Sequence, residues 1–166
     1  MANENMRLSQ EGWAALRTRE HAVMAYYNDQ ANNCTYGVGT LAHLGPCTAD
    51  ELARPVTAGQ VNAQLAVHVD RAEAVVRRAV KARELTQAQF DELVSYTYNV
   101  GGTGALAALR AANQGDDAGV VSHMTERVYI HPRDANGRRL TPVRSSGLVN
   151  RRRFESAPFR SQDGSQ

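Results

Sequence analysis

Residues 9–39 read SQEGWAALRTREHAVMAYYNDQANNCTYGVG, and a change of texture inside this stretch decides the fold class. Its first third has helical spacing. Ser9 is a cap residue, and Trp13, Leu16 and Glu20 fall at i, i+3 and i+7, which predicts a helix over about residues 10–21 with Glu20 on its apolar face. From Ala22 to His43 the chain turns to Tyr, Val, Thr and Gly, interrupted by Asn-Asp and Asn-Asn. That vocabulary belongs to a small antiparallel sheet with tight turns.

Downstream the pattern is helical. Thr48 to Glu51, Thr57 to Gln60 and Thr86 to Gln89 are three capping boxes, each opening a helix. Behind the second, Val61, Leu65, Val69, Ala72, Val76 and Val80 recur at helical spacing to about Arg83; such a helix is roughly 36 Å long at a rise of about 1.5 Å per residue. The third helix stops at Gly101-Gly102, with further helices over about 104–113, 117–128 and 146–156. The stretch from His131 to Pro142 reads as a surface loop. The chain is therefore expected to be a single α+β domain: a β lobe over about 22–56, a long connecting helix over about 58–83, and a helical lobe over about 84–160 joined by the N-terminal helix 9–21.

Composition narrows the function classes. At 166 residues and 42% hydrophobic content, the chain can bury roughly 70% of its unfolded surface, so folding requires neither a metal nor a disulfide framework. No apolar run approaches the roughly 20 residues of a membrane-spanning helix. The opening MANENMRLSQEGW has no basic start, apolar run and small-residue cleavage site, so synthesis in a bacterial cytoplasm without a signal peptide is expected. Charge is uneven: residues 1–126 carry 10 Arg/Lys against 14 Asp/Glu, and residues 127–166 carry 9 against 3. Only Lys81 is lysine among the 19 cations, and arginine's planar fork suits carboxylate or phosphate partners. An anionic partner is one reading of this basic end; pairing with the acidic half is the other.

Glu20 is the first candidate for chemistry. A carboxyl on the apolar face at a helix C-terminus loses hydration and meets the negative end of the helix dipole, and both favour the protonated form a general acid needs. A structural Glu paired with Arg144 or one of Arg151 to Arg153 fits the same position. Asp29 follows nine residues later in the first turn of the β region, and Thr35 six residues beyond that. Two carboxyls in different environments are the minimal apparatus of glycoside hydrolysis. An Asx turn at Asp29 and an ordinary strand threonine at Thr35 are the plainer readings. The histidines lack metal-ligand spacing, so neither a metal nor a cofactor is expected. Cys34 and Cys47 stand either as two free thiols or as a possible disulfide, formed once the chain has left a reducing compartment.

The run from Ser9 to Gly39, with Arg-Glu-His, Ala-Tyr-Tyr-Asn-Asp and Thr-Tyr-Gly-Val-Gly, resembles the active-site segment of phage-type lysozymes, the muramidase endolysins of tailed bacteriophages. The spacing of Glu20, Asp29 and Thr35 matches that family's catalytic triad without a gap. Residues 90–101 and 147–155 are similar to its helical-lobe motifs. The resemblance implies a lysozyme-like fold with a cleft between its lobes. It further implies hydrolysis of the β-1,4 bond between N-acetylmuramic acid and N-acetylglucosamine in peptidoglycan, with Glu20 as general acid, Asp29 and Thr35 holding the attacking water, and inversion at the anomeric carbon. The chain departs from the family at Thr40, where many relatives carry histidine; His43 is the nearest here.

The expected partner is peptidoglycan, met by a monomer that relies on a holin-type pore or a secretion system to reach the periplasm. Host lysis by a phage is the first biological reading and a secreted antibacterial effector the second. A nucleic-acid-binding protein using Arg151 to Arg153 is the rival of a different class; the region lacks the interleaved aromatics of a single-strand platform.

Overall fold

The computed structural model describes residues 2–160. Its order is α1 (Gln10–Arg19), β1 (Val23–Asn28), β2 (Cys34–Gly37), β3 (Thr40–His43), α2 (Ala49–Ala53), α3 (Ala58–Ala79), α4 (Gln87–Gln114), α5 (Asp117–Thr125), β4 (Tyr129–Ile130), β5 (Val143–Arg144) and α6 (Ser146–Glu155), with a closing 3-10 turn at Ala157–Phe159. The fold class is α+β, as the texture of residues 9–39 predicts.

Local signals place most of these boundaries. The Ser9 hydroxyl accepts the Gly12 amide at 3.0 Å and starts α1. Thr48 and Glu51 form a reciprocal capping box on α2, and Thr86 and Gln89 do the same on α4. At the start of α3 the Gln60 amide donates to the Thr57 hydroxyl at 3.2 Å, while the Thr57 amide donates to the Gln60 side chain at 2.8 Å. Each box satisfies two N–H groups that a helix start leaves orphaned.

Helix α3 ends at Ala79, short of the expected Arg83. The Asn113 side-chain Oδ1 accepts the Lys81 and Ala82 amides at 2.8 Å each, and the Asn3 side chain donates to the carbonyls of Val80 and Arg83, so side chains distant in sequence take over the chain's hydrogen bonds there. Gly101, where a helix stop is expected, has φ 78° and ψ 162° and kinks α4, which runs on to Gln114. No L-residue with a Cβ adopts that backbone cheaply.

The chain gathers into two compact units. The first comprises the chain up to Leu16, Val69–Val128 and the chain from Ser145; the second comprises Arg17–His68 and Tyr129–Arg144. The division falls inside α1 and inside α3. The first unit is helical, with Val69, Val76, Phe90, Leu93, Val94, Leu109 and Met124 fully buried. Buried Glu73, Arg152 and Glu155 are in ion pairs, and buried Asp91 accepts from Ser9 and Gln87. Glu73 accepts the Leu8 amide at 2.7 Å and the Arg77 guanidinium at 2.9 Å. Arg152, 2% exposed, pairs with Glu155, donates to Asn99 and to the Arg127 carbonyl, and lies over the Tyr96 ring. Glu155 also accepts from Arg151 and Ser95 at 2.8 Å each. Two of the three consecutive arginines are thus spent inside the fold, which removes the basic stripe that the nucleic-acid reading required.

The second unit is built on the antiparallel sheet β1-β2-β3. Its register sets Tyr26 against Tyr36, Tyr27 against Thr35 and Asn28 against Cys34. The Tyr26 and Tyr36 rings stack at 4.9 Å, a cross-strand pair that locks this register. Cys34, Thr35 and Gly37 on β2, Val56, and Val61 and Leu65 on the first turns of α3 are its buried residues, and α2 packs against β1. Residues 131–142 form the surface loop that the sequence predicts, and this loop joins two short paired strands. Tyr129 pairs with Arg144 and Ile130 with Val143, and a further bridge joins Arg133 to Arg139.

Candidate functional site

Asp29 opens the turn between β1 and β2. Its amide donates to the Asn33 carbonyl at 3.0 Å, and the Asn32 amide donates back to the Asp29 carbonyl at 2.9 Å. Asn32 takes φ 59°, which asparagine tolerates better than most residues. Oδ1 of Asp29 accepts the Ala31 and Asn33 amides at 2.9 Å each, so the Asx turn is real. Oδ2 points the other way and lies 3.3 Å from the Thr35 hydroxyl. One oxygen builds the turn and the other faces a buried hydroxyl on the neighbouring strand. The Asx turn uses one oxygen of the carboxylate, and the other lies beside Thr35.

Thr35 is 3% exposed and its hydroxyl also lies 3.3 Å from the Asn33 carbonyl. A hydroxyl has one proton and two lone pairs, so Oγ1 can donate to one of these oxygens and still accept from a third group. Tyr27, paired with Thr35 across the strands, has its phenol pKa pushed up by burial and by the Asp29 charge.

Glu20 belongs to the same unit as Asp29 and Thr35. Helix α1 ends at Arg19, so Glu20 stands half-buried on the bend that leads into β1 at Val23 and not on the helical face expected for it. The chain has to leave the helix direction within three residues to enter the sheet.

Cys34 and Cys47 form a disulfide that ties β2 to the segment before α2. Around it the Cys47 amide donates to the Asn28 side chain at 2.7 Å and the Cys34 amide to the Gly45 carbonyl at 2.7 Å. Asn28 and Cys34 bracket the Asp29 turn, so these links hold both of its ends. The ligand-type atoms of Cys34, His43 and Glu51 lie within 4.8 Å of one another, but the bond to Cys47 withdraws the sulfur from any metal donor set. His43 and Glu51 are an ion pair at 3.0 Å. The Thr48 amide and His43 hold the Glu51 carboxyl down at about 2, and the Leu44 carbonyl and Glu51 raise the His43 pKa.

His131 and Arg133 had no assigned role in the sequence. They stand on the β4–β5 hairpin and share a pocket with Asp29, Gln30 and Ala31. The signal that could have found them is Asp134-Ala-Asn-Gly137, a turn sequence flanked by Tyr129-Ile130 and Val143.

The chain is 28% identical over 158 residues to the endolysin of Acyrthosiphon pisum secondary endosymbiont phage 1, covering 94% of this chain and 99% of that one. Among solved structures it is similar to the endolysin of Escherichia coli O157:H7 phage FAHEc1, at 30% identity and TM-score 0.72, covering 93% of this chain and 94% of the other. The muramidase domain of SpmX from Asticaccaulis excentricus shares the fold at 23% identity and TM-score 0.72, covering 95% and 99% of the two chains. The phage lysozyme family model matches residues 18–155, a span that contains Glu20, Asp29, Thr35 and the disulfide, and the chain belongs to that family.

Proposed function

We propose that Glu20, Asp29 and Thr35 carry out the hydrolysis of peptidoglycan by this chain, and that the reaction inverts the anomeric centre. Family membership makes the chain a glycoside hydrolase of the lysozyme type. The bond cleaved is the β-1,4 link from N-acetylmuramic acid to N-acetylglucosamine. Glu20 delivers its proton to the departing glucosamine O4 as the bond from muramic acid C1 breaks. A water held by Asp29 Oδ2 and the Thr35 hydroxyl attacks C1 from the opposite face and gives its proton to Asp29. The muramic acid product leaves as the α-anomer, and the two carboxyls have exchanged protonation states.

The observation that carries this reading is the Asp29 Oδ2 to Thr35 Oγ1 approach of 3.3 Å. A water bound beside it would meet a carboxylate that accepts its proton and a hydroxyl that fixes its orientation. The contact pairs two residues separated in sequence by a turn that Asp29 itself organises. In the biological setting we place the enzyme in phage-mediated lysis of a bacterial host, made in the cytoplasm and reaching the wall through a holin-type pore.

The test is clearing of chloroform-permeabilised Gram-negative cells by wild type and Glu20→Gln, with product masses and the released anomer followed by NMR. Wild type is expected to release reducing muropeptides as the α-anomer, and the variant to lose activity by a factor on the order of 100 or more. Equal clearing by Glu20→Gln overturns the assignment of Glu20. Initial release of the β-anomer overturns inversion, and anhydro-muramyl products overturn hydrolysis itself.

A further inference from the structure

We propose that the β4–β5 hairpin is a specificity arm, in which Arg133 and His131 bind a carboxylate of the peptide carried on the glycan strand. The proposal rests on the muramidase reading above. Its basis is a pocket of about 350 Å³ lined by Asp29, Gln30, Ala31, His131 and Arg133. This volume lies within the range of small-ligand sites. Both walls belong to one compact unit, so the pocket does not depend on how the two units are arranged.

The charges on the two walls differ. On the turn side Asp29 is an anion whose Oδ1 is engaged by two backbone amides and whose Oδ2 faces Thr35. On the hairpin side Arg133 is exposed, and its Nη1 donates to the Gly137 carbonyl at 2.7 Å, which anchors one corner of the guanidinium. The tip is preorganised as well. Asp134 Oδ1 accepts the Asn136 and Arg138 amides at 2.9 Å each, and the Gly137 amide donates to the Asp134 carbonyl at 2.9 Å. Residues 129–144 carry four arginines and one carboxylate, Asp134.

The chemistry of the substrate selects the occupant. The sugar backbone of peptidoglycan is neutral once the muramic lactyl group is amidated, so it offers an arginine no charge partner. The anionic groups of the polymer are the carboxylates of its peptides, which branch from muramic acid, the sugar whose C1 is attacked beside Asp29. A cation held across the Asp29 turn is therefore placed to meet the branch and not the backbone. Arginine's fork matches a carboxylate with two parallel bonds, and Gln30 offers an amide suited to peptide groups.

The experiment compares hydrolysis of intact peptidoglycan strands with that of the same strands stripped of peptides by an amidase, the lactyl carboxylate so freed being converted to its methylamide so that the stripped strand is uncharged. Wild type is expected to favour the peptide-bearing strand. Arg133→Ala should lower the ratio of the two kcat/KM values by about tenfold, through KM. Arg133→Lys should recover part of the ratio, because it keeps the charge without the fork. Arg110→Ala, the same charge change at an exposed position on α4, should keep the wild-type ratio. An equal loss on both polymers for Arg133→Ala, or an unchanged ratio, overturns the proposal. Sedimentation of Glu20→Gln with each polymer, with and without Arg133→Ala, reads the same preference without turnover. A failure of Glu20 as acid thus leaves the preference measurable, and a failure of the arm leaves the loss of turnover in Glu20→Gln intact.

Discussion

Replacing Asp29 by Asn and by Ala separates the two tasks of its carboxylate. Asp29→Ala deletes the acceptor of two amide bonds at 2.9 Å and the neighbour of the Thr35 hydroxyl. The Ala31 bond is exposed and worth about 0.5 kcal/mol, whereas the half-buried Asn33 bond to a charged acceptor is worth about 1.5 kcal/mol. The expected cost is therefore about 2 kcal/mol, or roughly 4–8 °C in Tm for a chain of this length. Asp29→Asn keeps a carbonyl oxygen for both amides. Its new NH₂ can donate to the Thr35 hydroxyl, which remains free to donate to the Asn33 carbonyl. Its cost should stay below about 1 kcal/mol. Catalysis should follow the charge and not the turn: both variants should lose turnover by about 10²–10⁴, the range associated with a general base. Urea denaturation and turbidity clearing of permeabilised cells are the two assays. A stable Asp29→Asn variant that keeps more than about a tenth of wild-type kcat refutes the role as base. An Asp29→Ala variant as stable as Asp29→Asn refutes the turn energetics.

Two further outcomes follow from the surroundings of the turn. Reducing the Cys34–Cys47 bond, whose sequence separation is 13 residues, should cost about 3 kcal/mol by loop-closure entropy. Hydrogen exchange of the Cys34 and Thr35 amides should rise with it, and a loss under about 0.5 kcal/mol in urea titrations with and without reductant would count against this. The His43–Glu51 pair should make stability pH-dependent with opposite signs at its two ends. Glu51 is depressed to about 2, so its contribution is present above the ordinary 4.5 and is lost as pH falls toward about 2. His43 is raised, so its contribution is present below the ordinary 6.5 and is lost as pH rises through the raised value. The pair should therefore protect the Thr48 amide most strongly between those ordinary values, and Glu51→Gln should flatten the profile.

What could be read from the sequence was what is decided within a few residues. The three capping boxes and the Asp29 turn each satisfy their hydrogen bonds locally, so residue type and spacing are sufficient, whereas Gly101 marks a break that the chain takes as a kink and not as the expected stop. Helix α3 ends before the expected Arg83 because Asn113 and Asn3, distant in sequence, provide its terminal bonds. The role of Arg151 and Arg152 was hidden for the same reason. A basic run reads alike on a solvated face and around a buried Glu155, and only Ser95 and Asn99, more than 50 residues upstream, distinguish the two. Glu20 was placed on a helix face because the periodicity of α1 continues through it, and the entry into β1 overrode that pattern.

The pairing within residues 129–144 leaves little trace in the sequence for a different reason. Its paired strands are two residues long and enclose twelve residues, too little alternation to announce a sheet. Its residues are mostly exposed, so no apolar face marks it either; Tyr129, Ile130, Leu140 and Val143 are each at least 40% exposed. A core-building segment has no reason to expose those four side chains among arginines. A segment that contacts a polymer of sugars and peptides does, since aliphatic and aromatic surface suits the apolar faces of sugars while guanidinium groups suit carboxylates. Asp29 and Thr35, the proposed water-holding pair, come from one contiguous stretch, whereas the opposite wall of the Asp29 pocket arrives about 100 residues later. Changes in this hairpin can therefore alter which wall polymers are gripped while the bonds that position Asp29 and Thr35 stay as they are.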